Sequence, residues 1–295
     1  MNVRRVKDRL ARHGFMLLTV GSCLLVVFMA GGLFVKALPI LRQHSLASLL
    51  LSTAWHPLRG EFGLLSFLVG TLYVSSLAML IAVPPSLLTA IFLAEYAPRR
   101  LAEAVRPVID VLSGIPSVVY GVWGVLVVVP AVERLSRHLG LYSSGYCWLS
   151  GSLVLAVMVC PFIIHLSHEI LRAVPEGIRE ASLSLGATRW QTVKHVVVRK
   201  ALPGILAAVV LAFSRALGET IAVLMVVGNI PAIPRSLFDA AYPLPALLAN
   251  NYGEMMSIPL YDSALLLSAL VLLLVVLFFH LASNWMYGLA YKAAE

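Results

Sequence analysis

Charge is scarce in this sequence. Asp, Glu, Lys and Arg make up 12% of its 295 residues, against 60% hydrophobic residues; soluble domains carry about twice that share of charge. Cysteine is almost missing. Cys23, Cys147 and Cys160 have spacings that support neither a disulfide framework nor a zinc site, so they read as small buried hydrophobes. No G-x-x-x-x-G-K-[ST] loop occurs, so any nucleotide-driven work needs a separate hydrolase. His165, His168 and Glu169 form an H-x-x-H-E run without zincin spacing, and no metal site or cofactor is expected. No nucleophile–base pair stands at a plausible spacing, which argues against an intramembrane enzyme. The short alternating segments of a β-barrel are also missing.

What the chain does have is apolar length. Six stretches, roughly 15–38, 67–94, 105–130, 152–171, 202–228 and 263–287, approach or exceed the ~20 residues needed to cross a hydrocarbon core. In lipid the backbone must satisfy its own hydrogen bonds, so these stretches predict helices and an all-α integral membrane fold of six transmembrane helices. The first begins behind a basic segment, as a signal peptide does, but it is too long for an ordinary leader and no clear cleavage site follows. It reads as a retained helix.

The net charge of +8 does not point to nucleic acid, because the cations sit in short segments between spans. One side collects Arg4, Arg5, Lys7, Arg9, Arg12, Arg99, Arg100, Arg106, Arg172, Arg179, Arg189, Lys194, Arg199, Lys200 and Lys292. The other has Lys36, Arg42, Arg59, Arg134, Arg137 and Arg235. Positive loops stay inside, which places both termini in the cytoplasm.

Several features interrupt plain lipid-facing helices. Pro84 and Pro85 lie in the second stretch. Pro107, Gly114, Pro116, Gly121 and Gly124 lie in the third, among Ser113, Ser117 and Tyr120. Proline frees carbonyls that then need protein or water. The pattern fits helices around a cavity as well as helices tightened by small residues. Asp110, three residues after Pro107, reads as a first-turn anion. The outer connection 229–262 is long and proline-rich, with Phe238, Tyr242 and Tyr252. It reads as a docking surface or as a cover over the helices.

The inner connection after the fourth stretch carries more information. Pro175 can open a helix whose first turns hold Glu176 and Glu180. Ala181, Leu183, Leu185 and Ala187 give it apolar surface, Gly186 permits a sharp turn, and Thr188 can cap a second short helix. Such a helix-turn-helix either rests on lipid headgroups or offers its apolar residues to a cytoplasmic partner. The run Glu180-Ala181-Ser182…Gly186 resembles the E-A-A-x-x-x-G coupling loop of ABC importer permeases. The family pattern goes on to a Pro where this chain has Arg199, which leaves open whether a helix ends near 198. A later Leu202-Pro203 opens the fifth stretch.

That fifth stretch contains Ser214-Arg215-Ala216-Leu217-Gly218-Glu219-Thr220. On a helix starting near 202, Arg215 lies at mid-bilayer, where a charge costs about 2.5–3.5 kcal/mol on insertion scales. Glu219, four residues on, shares its face and could pair with it, and Gly218 would let another helix approach. The pair is either a structural lock or an anion-binding element, since Arg suits a bidentate grip on oxyanions.

Residues 215–229, RALGETIAVLMVVGN, and 115–124, IPSVVYGVWG, resemble the PstC-type permeases of phosphate-specific ABC importers. The similarity runs over roughly residues 66–290. It implies a type I importer permease (MetI-like) core at 63–290 with a cytoplasmic coupling loop at 175–200, preceded at 1–62 by the N-terminus, first helix and external loop. It further implies a bacterial plasma-membrane location. Implied partners are a second permease (PstA-type), an ATPase homodimer (PstB-type) and a phosphate-binding protein (PstS-type). On this resemblance Arg215, Glu219, Thr220, Ser113, Ser117 and Tyr120 line the route of inorganic phosphate, and Arg179, Glu180, Ala181 and Gly186 engage the ATPase. The alternatives are a permease for another oxyanion, or a stand-alone secondary transporter, which would need coupling carboxylates or a repeat.

Overall fold

The computed structural model describes the backbone of residues 3–254 and 257–292 and the side chains of 11–254 and 257–286. The side chains of Arg4, Arg5, Lys7, Arg9 and Lys292, which entered the orientation count, lie outside the described residues. Among the described residues, six helices are long and apolar enough to cross a membrane: Ala11–Gln43, Leu65–Tyr96, Ser117–His138, Trp148–Arg172, Arg189–Leu217 and Tyr261–Met286.

The chain runs through α1 (Val3–Gln43), α2 (Leu46–Leu51), a short antiparallel hairpin of β1 (Trp55–His56) and β2 (Glu61–Phe62), then α3 (Leu65–Ile91) and α4 (Arg99–Gly114). It continues with α5 (Ser117–Trp123), α6 (Val129–His138), α7 (Trp148–Arg172), α8 (Glu176–Ser184), α9 (Arg189–Thr192) and α10 (Val198–Leu217). It closes with α11 (Ile221–Leu224), α12 (Leu244–Asn251) and α13 (Tyr261–Lys292). Three π turns sit within the spans. Phe92–Tyr96 extends α3, Gly124–Val128 joins α5 to α6, and Val193–Val197 joins α9 to α10.

The helices α3 and α7 pack side by side at the centre, with α10 against both. Their contact is made by small residues such as Ala78, Ala82, Ala156 and Ala212, which let backbones approach where lipid offers no hydrophobic drive. Serines add hydrogen bonds to neighbouring carbonyls. Ser75 donates to the Ala216 oxygen (3.3 Å), Ser152 to Val74 (3.1 Å) and Ser283 to Ala207 (2.7 Å). At one end α1, α2, the hairpin, α12 and α13 share a cluster containing Ile40, Leu49, Phe62, Leu247 and Tyr261. Residues 37–62 therefore contribute to the packed body. At the other end Ala90, Leu171, Val174, Val197, Ala201 and Ile205 form a smaller cluster beneath α8. Residues 11–29 of α1 are exposed on every side and touch no core of this chain.

The third and fifth spans differ from the sequence expectation. The third is not 105–130. Proline at 116 disfavours the helical region for the preceding residue, and Ile115 is extended (φ −64°, ψ 130°). Residues 99–114 form a separate amphipathic helix, and the span begins at Ser117. Asp110 accordingly sits late in α4, facing His165 (Oδ1–Nδ1 3.3 Å), instead of in a first helical turn. The fifth span starts at Arg189 and ends at Leu217, not 202–228. No helix ends near Arg199. The rod passes through the Val193–Val197 π turn, and Pro203 lies inside α10.

The described residues of the long connection 229–262 fold onto the bundle as a cover. Trp148 donates its backbone N–H to the Asp239 carbonyl (3.1 Å) and its indole N–H to Ser236 (2.7 Å). The Leu244 N–H donates to the buried Thr71 hydroxyl of α3 (2.8 Å). The Tyr242 carbonyl lies so close to Gly70 that a Cβ there would sit 3.2 Å from it. The Asn251 side chain donates to Tyr242 and accepts from Tyr261, both at 2.8 Å, tying the cover to α13.

Candidate functional site

Three regions carry the residues singled out by sequence: an elbow, Glu176–Gln191, the end of α10 with the residues that follow it, and the junction of α4 with α5.

The elbow forms as its residues dictate. Pro175 caps α8, and Glu176 occupies the first turn. Gly186 adopts φ +84°, the left-handed conformation that reverses the chain after Ser184. Thr188 accepts from the Gln191 N–H (3.3 Å) while the Gln191 side chain accepts from the Thr188 N–H (2.8 Å), a reciprocal capping box that starts α9. Glu180, Ala181 and Gly186 lie on the exposed side, and a Cβ at Gly186 would meet nothing within 4 Å. Leu183, Leu185 and Trp190 are also exposed there, Leu185 by 89%.

Arg179 faces the opposite way. Its guanidinium grips Glu95 at the end of the second span (Nη2–Oε1 2.8 Å, Nε–Oε1 3.2 Å), and the two side chains are only 12% and 8% exposed. It also donates to the carbonyls of Leu171 (2.9 Å), which the Val174 N–H shares, and of Val174 (2.5 Å), where α7 ends. Arg189, at the start of α9, donates to the Glu95 carbonyl and lies over the Tyr96 ring (5.2 Å). The π turn Phe92–Tyr96 is thus bonded to both arms of the elbow. Sequence reasoning missed Glu95. Its signal was a lone carboxylate at the inner end of an apolar span, in a chain with only 14 acidic residues.

The end of α10 is arranged otherwise than expected. Arg215 lies in the last turn, exposed, and α10 stops at Leu217, so there is no continuous helix to bring Glu219 onto its face. Glu219 Oε1 instead accepts from the Ala222 N–H (3.2 Å) and starts α11. Arg215 lies over the Phe162 ring of α7 (5.0 Å) and forms no ion pair among the described residues. Gly218 is exposed, and among the described residues a Cβ there would meet only the Ser214 and Arg215 carbonyls of its own helix within 4 Å. Thr220 donates to the Gly218 carbonyl (3.2 Å).

Across the bundle, Tyr120 is buried and within electrostatic reach of Arg215. It donates to the Leu112 carbonyl (2.8 Å), which the break at Ile115–Pro116 frees. Ser113 donates to the Asp110 carbonyl (2.8 Å), and Ser117, half-buried, opens α5. The structure therefore joins Arg215 with Phe162, leaves Tyr120 bonded to Leu112, and sets Ser113 on the far side of a helix break. Phe162 went unnoticed in the sequence because an aromatic after a proline in an apolar span carries no distinguishing pattern. A cation on an aromatic face gains about 0.5–2 kcal/mol. Replacing Phe162 with Leu is expected to lower transport about threefold to tenfold, with Phe162→Tyr retaining most of it. Equal uptake by Leu and wild type would show that the ring does nothing for Arg215.

Residues 86–293 match the family model of the binding-protein-dependent transport system inner membrane component. The chain is 36% identical over 293 residues to the phosphate transport system permease protein PstC of Xylella fastidiosa (strain 9a5c), covering 92% of this chain and 89% of that protein. It is 32% identical over 283 residues to the probable phosphate transport system permease protein PstC of Methanocaldococcus jannaschii, covering 89% of each. The fold is similar to a subunit of the inward-facing methionine ABC transporter MetNI (TM-score 0.57, 19% identity, 75% of this chain and 93% of that one). It is also similar to a chain of a bacterial alginate ABC transporter (TM-score 0.59, 16% identity, 99% and 98%).

Proposed function

The chain belongs to the family of binding-protein-dependent transport system inner membrane components, and on that footing we propose that it is a permease subunit of an ATP-driven importer of inorganic phosphate. It is a multi-pass membrane protein. In this reading both termini are cytoplasmic, as the basic residues of its inner segments require. A second permease completes the pathway, an extracytoplasmic protein delivers phosphate, and a pair of ATPase subunits supplies the work.

The elbow is the observation that carries the coupling role. Exposed apolar side chains on a turn braced from behind by a buried ion pair form a surface that can receive a push and pass it on. ATP binding in the partner would bias a membrane domain with two arrangements, and only by its different affinity for the two. The Glu95–Arg179 pair hands that bias to the second span, and the rod from Arg189 to Leu217 hands it to Arg215. This chain needs no catalytic residue of its own.

Phosphate as substrate rests on the names of the relatives and on Arg215. A guanidinium resting on a ring, with no carboxylate to displace, presents its N–H donors to an oxyanion, and the open end of α10 lets the ion leave again. Labelled-phosphate uptake in cells lacking other phosphate importers tests this. Arg215→Gln removes a charged hydrogen-bond donor worth about 1.5–3 kcal/mol and is expected to lower uptake about ten- to hundredfold at normal expression. Glu219→Gln keeps an oxygen for the Ala222 N–H and is expected to cost severalfold at most. Wild-type uptake in Arg215→Gln would remove its role. Equal competition by sulfate would assign the pathway to another oxyanion.

A further inference from the structure

A second basic site lies on the elbow side of the bundle, away from Arg215. A cavity of about 600 Å³ opens between the amphipathic helix α4, the end of α7 and the π turn Phe92–Tyr96. Arg99 and Arg106 of α4 line it, with His168 and Arg172 of α7, over an apolar wall that includes Leu93 and Ala97. Arg99 pairs with Glu103, also in the wall (2.7 Å), and Arg106 with Glu169 (2.8 Å). Arg172 has no carboxylate partner among the described residues, so three guanidiniums face two carboxylates. The first turn of α4 adds its positive helix end to the same side. The one guanidinium in excess leaves the cavity net positive, and a net positive cavity draws in anions. The site lies level with the end of the fourth span, where a polar lipid headgroup would also lie. We infer that this cavity binds a phosphate group, carried either by an anionic lipid or as free inorganic phosphate, and that Arg172 is its primary ligand with Arg106 beside it.

Such a ligand would sit against the turn that also carries Glu95. Occupancy would therefore bear on the piece of backbone that braces the elbow. The site needs no part of the translocation pathway and stands or falls without Arg215.

Hydrogen exchange across residues 99–114 reads the site directly, using the full chain in nanodiscs with the subunits that co-purify with it. The reference is neutral phosphatidylcholine in phosphate-free buffer. One arm adds phosphatidylglycerol, the other inorganic phosphate. A ligand at ten times its Kd is expected to slow exchange about tenfold. Slowing in the lipid arm identifies a headgroup, slowing in the phosphate arm identifies the free ion, and slowing in both identifies a site that takes either. Arg172→Gln, which breaks no described ion pair, is expected to remove the response. Arg215→Gln and Arg100→Gln are expected to keep it. No slowing in either arm, or the same slowing in Arg172→Gln, would overturn the site and leave these arginines with the task of orienting the chain.

Discussion

Arg179→Ala is expected to abolish ATP-driven uptake while the chain still inserts in the membrane. Removing one partner of a buried ion pair leaves the other charge stranded, at a cost of roughly 3–5 kcal/mol. Here the stranded group is Glu95, whose side chain is 8% exposed at the end of the second span; the Val174 carbonyl loses its Arg179 donor as well, and the Leu171 carbonyl keeps the Val174 N–H. That cost corresponds to a hundredfold or greater loss of the braced elbow. It acts at the ends of the second and fourth spans, whose packing against one another through Ala78, Ala82 and Ala156 lies elsewhere. The expected signature is normal membrane content, retention of the second permease, and loss of phosphate uptake and of ATPase subunits from the purified complex. Glu95→Ala is expected to behave alike. The double variant Glu95→Leu/Arg179→Met is expected to be less impaired than the two single effects combined, since no charge is left unpaired. It would not reach wild type, because the Val174 carbonyl stays without its Arg179 donor. Full uptake in Arg179→Ala would show that the brace transmits nothing.

Gly186→Val is expected to bring uptake to background by a different route. At φ +84° a β-branched residue is strained by about 1–3 kcal/mol, and its side chain projects from the face where Leu185 and Ala181 are open. Gly186→Asn separates the two effects. Asn tolerates the left-handed conformation, so the turn survives, but a side chain now stands on the docking face. If a partner seats there, both variants lose stimulated ATPase activity, while only Val speeds hydrogen exchange in residues 185–192. Normal uptake in Gly186→Val would refute docking at this face.

Much of this architecture can be read from the residues. Six long apolar runs have one reasonable fate in a chain this poor in charge, and helical membrane architecture follows from the backbone's own hydrogen-bonding needs. The elbow is legible for a local reason. Pro175, Gly186 and the Thr188–Gln191 box each act within four residues, so their meaning survives without the fold. The errors came where a helix ended inside an apolar run. The helix stops at Gly218-Glu219-Thr220, a gap too short to divide the apolar run 202–228 by hydrophobicity alone, and Arg215 and Glu219 part company as a result. Pro116 signalled the other break, but the apolar residues on both sides concealed it. The contacts that matter most for the site join distant segments: Glu95 to Arg179 across 84 positions, and Phe162 to Arg215. No periodicity in a single sequence encodes such pairs, and the sequence marked only one member of each.

The account depends most on the elbow touching a cytoplasmic ATPase. A photo-crosslinking amino acid in place of Leu185, 89% exposed at the tip of the turn, tests that contact in the assembled complex within native membranes. The account predicts one dominant product joining this chain to the ATPase subunit, with its yield changing when ATP is bound. Crosslinks to lipid alone, or reaction at that position with a membrane-impermeant reagent applied from outside the cell, would contradict it.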